Sequence, residues 1–115
     1  MINNRKCFND GFVSIYKDNI KRGSFGAKAN IESINELEFV VKLAYKESSK
    51  REEDIQLVEM QGKTLSLKVK TPLFNGIQSN YKLVHNNILY DIINIDINKS
   101  NREMYIYCEE VKRLW

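Results

Sequence analysis

Histidine and cysteine are nearly missing from this chain: His85 is the one imidazole, and Cys7 and Cys108 are the two thiols. That set is too small for most metal centres, which draw on several such ligands, so no metal or cofactor is expected. Proline is as rare as histidine, with Pro72 alone, and the five glycines at 11, 23, 26, 62 and 76 are scattered. Neither is dense enough to form a linker, and no domain boundary is marked. Long apolar runs are absent too. Nothing approaches the roughly 18 consecutive apolar residues of a membrane-spanning helix, and no membrane contact is expected. Residues 1–7 carry Arg5 and Lys6 with no apolar stretch behind them, so a secretory leader is not expected and a cytoplasmic origin is. Both thiols are then expected free, Cys108 as a small core residue. A dominant charge sign is also lacking: eighteen Lys and Arg against fifteen Asp and Glu leave +3, too weak to hold nucleic acid by bulk charge.

What is present is the material of one globular domain: 115 residues, 43% apolar and 29% charged. Short alternating runs dominate. Residues 12–16 read as a first strand after the turn Asn9-Asp10-Gly11, and residues 39–45, rich in β-branched and aromatic side chains, as a second. Between them, residues 17–35 read as an extended surface loop or arm carrying basic Lys17, Lys21, Arg22 and Lys28. Ser49-Lys50-Arg51-Glu52 offers a capping box, and Glu52, Glu53 and Asp54 favour a helix start. Ile55 and Val58, with Leu57, supply its apolar side, and Gly62 closes it. Residues 65–70 alternate strictly, with Leu65, Leu67 and Val69 expected buried and Ser66, Lys68 and Lys70 facing water. Pro72 and Asn75-Gly76 fill a loop. Residues 81–84 and 88–97 read as a hairpin about Asn86-Asn87, with Leu89, Ile93, Ile95 and Ile97 on one face and Asp91 marking a bulge or an edge. After a turn at 98–101, residues 102–111 return with Met104, Ile106 and Cys108 inward and Glu103, Tyr105, Tyr107 and Glu109 outward. Six short strands and one brief helix predict a mainly β fold, a small antiparallel barrel or sandwich with long loops.

Chemistry is sparse. His85 sits beside a turn with no nucleophile motif near it, and a turn histidine explains it. Asp91 and Asp96 are an odd number apart, so on an unbroken strand they face opposite ways and form no carboxylate pair. Glu52-Glu53-Asp54 is accounted for by helix-start stabilisation. Gly23-Ser24-Phe25-Gly26 lacks the Lys-Ser/Thr of a phosphate-binding loop. No catalytic set is found, and an enzyme is not expected. Phe25, Tyr81, Tyr105 and Tyr107 among basic residues also fit a small barrel that binds single-stranded nucleic acid, although acidic residues are interleaved. By segment, residues 1–35 carry net +3, residues 36–63 carry −2 and residues 64–115 carry +2. Outward Tyr105 and Tyr107, followed by Leu114-Trp115, most resemble a contact surface. Two readings stand: another part of the same subunit covers them, or a partner does.

The order of these pieces resembles the small head-tail joining or head-closure proteins of long-tailed double-stranded DNA phages and prophages. The resemblance lies in the opening Phe8-Asn9-Asp10-Gly11-Phe12-Val13-Ser14-Ile15-Tyr16, and in the closing meander. There Tyr81-Lys82-Leu83-Val84, Leu89-Tyr90-Asp91-Ile92-Ile93-Asn94-Ile95 and Arg102-Glu103-Met104-Tyr105-Ile106-Tyr107-Cys108-Glu109-Glu110-Val111 follow one another. The passage from Ala44-Tyr45 through Ser49-Lys50-Arg51-Glu52 to Leu65 is similar to the family's middle. Together the opening and the meander cover about half the chain. Asn86-Asn87 stands where the family more often has a glycine-containing turn, and residues 17–35 align with nothing clear.

The resemblance implies a small β-barrel with a helix, made in the bacterial host cytoplasm and assembled as a homo-oligomeric ring in the virion neck. Its implied partners are the portal or connector (adaptor) protein on one side and a tail terminator or tail protein on the other, with non-specific contact to packaged double-stranded DNA. A ring of this kind closes the head after packaging and forms the tail attachment surface. Residues 46–63, with Lys46, Lys50, Arg51, Glu52, Glu53 and Asp54, are then the expected channel- or adaptor-facing loop. The arm with Lys17, Lys21, Arg22 and Lys28 would reach a neighbouring ring, and Tyr105, Tyr107, Leu114 and Trp115 would form the subunit or partner interface. Two alternatives are a tail-completion or tail-terminator protein of the same neck region and the single-strand-binding barrel.

Overall fold

A computed structural model describes residues 8–18, 37–78 and 80–114. Its elements are β1 (Gly11–Asp18), β2 (Leu37–Glu47), α1 (Glu52–Glu59), β3 (Leu67–Pro72), β4 (Lys82–His85), β5 (Ile88–Asn98) and β6 (Glu103–Arg113). All strand pairs are antiparallel and close into one barrel in the order β1-β2-β3-β6-β5-β4, with β4 returning to β1. The expected small barrel with one short helix is the fold observed. Among the described residues no helix is long and apolar enough to cross a membrane.

Period-two alternation fills the barrel. Val13 and Ile15 of β1, Leu43 and Tyr45 of β2, Val69 of β3, Leu83 of β4 and Met104, Ile106 and Cys108 of β6 form one buried cluster. Cys108 is free and fully buried, and desolvation raises its thiol pKa far above the ordinary range, which keeps it protonated and inert. Cys7 lies outside the described residues. A second cluster sits on the outer wall where β4 and β5 meet β1: Val84 and Leu89, opposite each other in the ladder, are covered by Leu37 and Leu114.

Three irregularities break the simple alternation. Along β2 Val40 is an extra residue, since Ile15 pairs with Val41 and Tyr16 with Phe39. Between β5 and β6, Ile92 faces Cys108 and Asn94 faces Tyr107, which leaves Ile93 as a bulge. Val111 is the extra residue opposite the Leu89-Tyr90 step. An added residue reverses the facing of everything beyond it. Tyr90, Ile92 and Ile95 therefore contact the barrel core, while Ile93 packs outside it. This corrects the expected shared face of Leu89, Ile93, Ile95 and Ile97 and moves the bulge from Asp91 to Ile93. Asp91 instead pairs with Lys82 at 2.6 Å.

The ends of several elements also shift. Lys17 and Asp18 extend β1 rather than opening an arm, and Lys17 pairs with Glu38 at 3.6 Å. Pro72 ends β3 instead of starting a loop, a place that tolerates its missing N–H. Lys21, Arg22, Phe25 and Lys28 lie outside the described residues. The turn between β4 and β5 is the predicted two-residue one, with Asn86 at φ 54° and Asn87 at φ 64°. Two consecutive left-handed residues define a type I′ turn, whose twist matches the strands, and Asn tolerates it better than most residues. The Leu114 N–H donates to the Asn87 carbonyl at 2.6 Å, so the turn also anchors Leu114 over the outer cluster. Replacing Asn87 with Gly should leave stability nearly unchanged, whereas Asn87→Val should cost about 1–3 kcal/mol, read as a fall in the urea midpoint at constant m-value.

Candidate partner interface on the barrel wall

The helix lies against the outer wall formed by β3, β6 and β5. Its buried side is built from Asp54, Ile55 and Val58, at positions i, i+1 and i+4. Val58 and Ile55 pack with Leu65 before β3, Tyr105 and Tyr107 of β6 and the bulged Ile93 of β5. The bulge thus has a packing role: it turns one isoleucine out of the barrel and under the helix.

Asp54 fastens this arrangement. It is 4% exposed. Lys68 of β3, itself 5% exposed, donates to its Oδ2 at 2.8 Å. Tyr107 donates its hydroxyl to Oδ1 at 3.3 Å. Arg51, the residue before the helix, donates Nε to Oδ2 at 3.2 Å, a terminal nitrogen to Oδ1 at 3.1 Å and its backbone N–H to Oδ2 at 3.1 Å. The Arg51 hydrogen bond is the largest influence holding the Asp54 carboxyl well below the usual carboxylate range, and it outweighs the desolvation that opposes it. The Arg51 guanidinium is pushed upward in return, and burial raises the Tyr107 phenol. Lys68 also lies 5.1 Å from the Tyr105 ring centroid and 5.2 Å from that of Tyr107, contacts that favour a cation out of water.

Several sequence-based expectations change here. The N-cap position is Arg51 rather than Ser49, and Asp54 rather than Glu52 reaches back to it, accepting the Arg51 backbone N–H while it also meets the wall. Lys68 does not face water, since the helix covers it. Tyr107 is not an interface residue: it is buried within the chain by α1. Asp54 cannot face a channel or an adaptor for the same reason. Glu103, expected outward, is buried beside Lys70 at 3.8 Å. Leu114 is buried in the outer cluster rather than free for a partner, and Trp115 lies outside the described residues. Lys46 belongs to β2, directly opposite Lys70 of β3, not to the loop.

What remains exposed lies close together. Lys50 donates to the Ser66 carbonyl at 3.2 Å, and Glu52, Glu53 and the outer part of Arg51 stay in solvent. Beside them an open cleft of about 500 Å³ is lined by Ser48, Ser49, Arg51, Lys68, Asp96, Tyr105 and Tyr107. A smaller hollow of about 190 Å³ adjoins it, sharing Ser48, Ser49 and Tyr105 and adding Lys46, Glu47 and Lys70. Half-buried Tyr105 is the hinge point of both. The structure thereby joins the expected loop residues to one of the two expected tyrosines. It leaves Lys17 elsewhere, at the end of β1. Asp96 was not expected in this cleft. The Ile93 bulge brings it, turning Asp91 and Asp96 both to the outer wall, though they sit at different levels of the ladder.

His85 is not a free turn residue: it is half-buried and hydrogen-bonded to the core Tyr45 hydroxyl through Nε2 at 2.9 Å. Among the described residues no group of three or more His, Cys, Asp or Glu side chains converges as a metal site requires. No protein-family model matches the chain, and no curated protein matches it either.

Removing the Asp54 charge alone should be far costlier than removing Asp54 and Lys68 together. Asp54→Asn leaves Lys68 buried without a counter-charge and should cost about 3–5 kcal/mol, whereas Asp54→Leu combined with Lys68→Met should recover most of that loss. Because the folded-state pKa of Asp54 is depressed, its contribution is fully present above the unfolded value near pH 4 and is lost as pH falls toward the lower folded value. Acid titration of urea stability should therefore be flatter below about pH 4 in Asp54→Asn than in the wild type.

Proposed function

We propose that the chain is a structural protein of a phage neck, a subunit of a ring between the portal or connector and the tail that closes the packaged head and presents the surface the tail binds. The observation that carries this reading is the connection between β2 and β3. It builds an ionically fastened helical shelf on the outer wall of a closed barrel, and Tyr105 stands half-exposed beside it. This is the stretch where the family resembled by the sequence elaborates its fold, and the surface is shaped for contact with another protein. Serine hydroxyls, Lys46, Arg51 and an aromatic ring around a shallow cleft suit a polar, partly apolar partner surface. Lys50, Arg51, Glu52 and Glu53 are the members of this stretch that can meet an adaptor or line a channel. Mixed signs among them limit the affinity for DNA to passing, non-specific contact.

The test is genetic and biochemical. A phage deleted for this protein should accumulate DNA-filled heads and separate, normal-length tails, and purified protein should join them. Intact virions formed without it would overturn the proposal, and tails of abnormal length would assign it to tail completion instead. Tyr105→Ser should lower the melting temperature less than Tyr107→Ser does, while weakening the joining contact by about 2 kcal/mol, roughly 30-fold, as expected for an aromatic anchor. Tyr107→Ser should lower stability first, because that side chain supports the helix from within.

A further inference from the structure

Two patches of exposed apolar surface lie on opposite walls of the barrel, and their charges are of opposite sign. The first is the outer face of β1 and β2. Phe12 and Phe39 are 57% and 55% exposed there, and Tyr16 meets Phe39 edge-on with centroids 5.6 Å apart. Lys42 lies over the Phe12 ring at 5.1 Å, whereas Lys46, further along β2, borders the hollow beside Tyr105. The second patch is the outward stripe of α1 and its cap. Glu53, Gln56, Leu57 and Met60 recur at helical spacing and all are exposed, Leu57 at 46% and Met60 at 83%. Glu52 and Glu59 flank them.

Around the barrel, β1 is three strands from β6 in either direction. The helix sits over β6 with its neighbours β3 and β5. The two patches therefore point away from each other, and neither can cover the other within one chain. Exposed apolar clusters rimmed by charge mark contact surfaces, and opposite charges select the matching face.

We infer that the two patches meet between copies of the chain, the α1 stripe of one subunit lying on the β1–β2 face of the next. Leu57 and Met60 then lie against Phe12 and Phe39, while Glu53 and Glu59 face Lys42. Such a contact joins unlike surfaces, so it propagates from one subunit to the next rather than stopping at a symmetric pair, and a ring forms where the rotation closes. The inference rests on the ring reading above and deepens it by naming the faces that meet. A basic aromatic face also suits single-stranded nucleic acid. Glu38 and Glu47 on β2 weaken that field, and the acidic apolar stripe on the far wall would then have no use.

Zero-length coupling of lysine to carboxylate, applied to a mixture of isotopically light and heavy protein, tests the contact directly. Links joining light to heavy chains between Lys42 and Glu52, Glu53 or Glu59 are expected, and a light-to-heavy link cannot form within one chain. Light-to-heavy links only at other faces overturn the inference while leaving the ring reading intact, and no such links at all also overturn it. In a second measurement, Phe39→Glu disables one face, and Leu57→Ser with Met60→Ser disables the other. Each variant alone should sediment as a monomer, and their mixture should form dimers and nothing larger. A mixture that stays monomeric, or a single variant that still self-associates, rules the contact out. Protection of Lys42 by a single-stranded oligonucleotide, without protection by a second copy, assigns the face to nucleic acid instead. Failure of the neck reading shows separately, as virions assembled without the protein.

Discussion

A carboxylate withdrawn from water costs several kcal/mol unless cations and donors meet it, and the outer wall of this barrel is organised around meeting one. An eight-residue helix is too short to persist alone, so α1 exists where tertiary contacts hold it. Asp54 supplies the anchor by receiving Lys68 from the sheet, Tyr107 from the sheet and Arg51 from its own first turn. Three elements, α1, β3 and β6, are thereby fixed relative to one another. The choice of which tyrosine is buried and which borders a cleft follows from where that anchor sits.

The barrel beneath is adjusted to the helix rather than merely covered by it. A regular β5 would keep Ile93 and Ile95 on the same face. The extra residue separates them, sending Ile95 to the core and Ile93 to the helix. Asp96 is carried outward by the same step and becomes part of the cleft. One irregularity in one strand therefore completes the core, seats the helix and charges the surface.

The strands and the tight Asn86-Asn87 turn were legible because their determinants are local: alternation in residues 65–70 and 103–108, and two residues that tolerate positive φ. Cys108 as a core residue was legible for the same reason. The wall was not. Lys68 reads as a solvent-facing lysine because the partner that makes its burial affordable lies 14 residues away on another element. Tyr107 and Glu103 occupy outward positions of an alternating strand, and alternation reports which side of the sheet a residue is on, not whether something lies over that side. Asp54 was read as helix-start charge, which it is, but one turn of helix also aims it at the sheet. The bulge at Ile93 has no glycine or proline to announce it, and only the pairing with β6 reveals it.

The β1–β2 pair closes the barrel through unequal seams. Its own ladder runs eight pairs with one bulge at Val40, yet it joins β4 through three residue pairs and β3 through two, with one further bond from Ser48 to Lys68. The β5–β6 ladder by contrast runs ten pairs long. Mechanically the molecule is a four-stranded shell shut by a two-stranded panel, and the panel is the part most easily lifted. A neighbour's helix resting on the outside of that panel would press it onto the shell, so that the assembled state holds closed what the isolated subunit holds least firmly. In such an assembly, folding and association would reinforce each other by mass action.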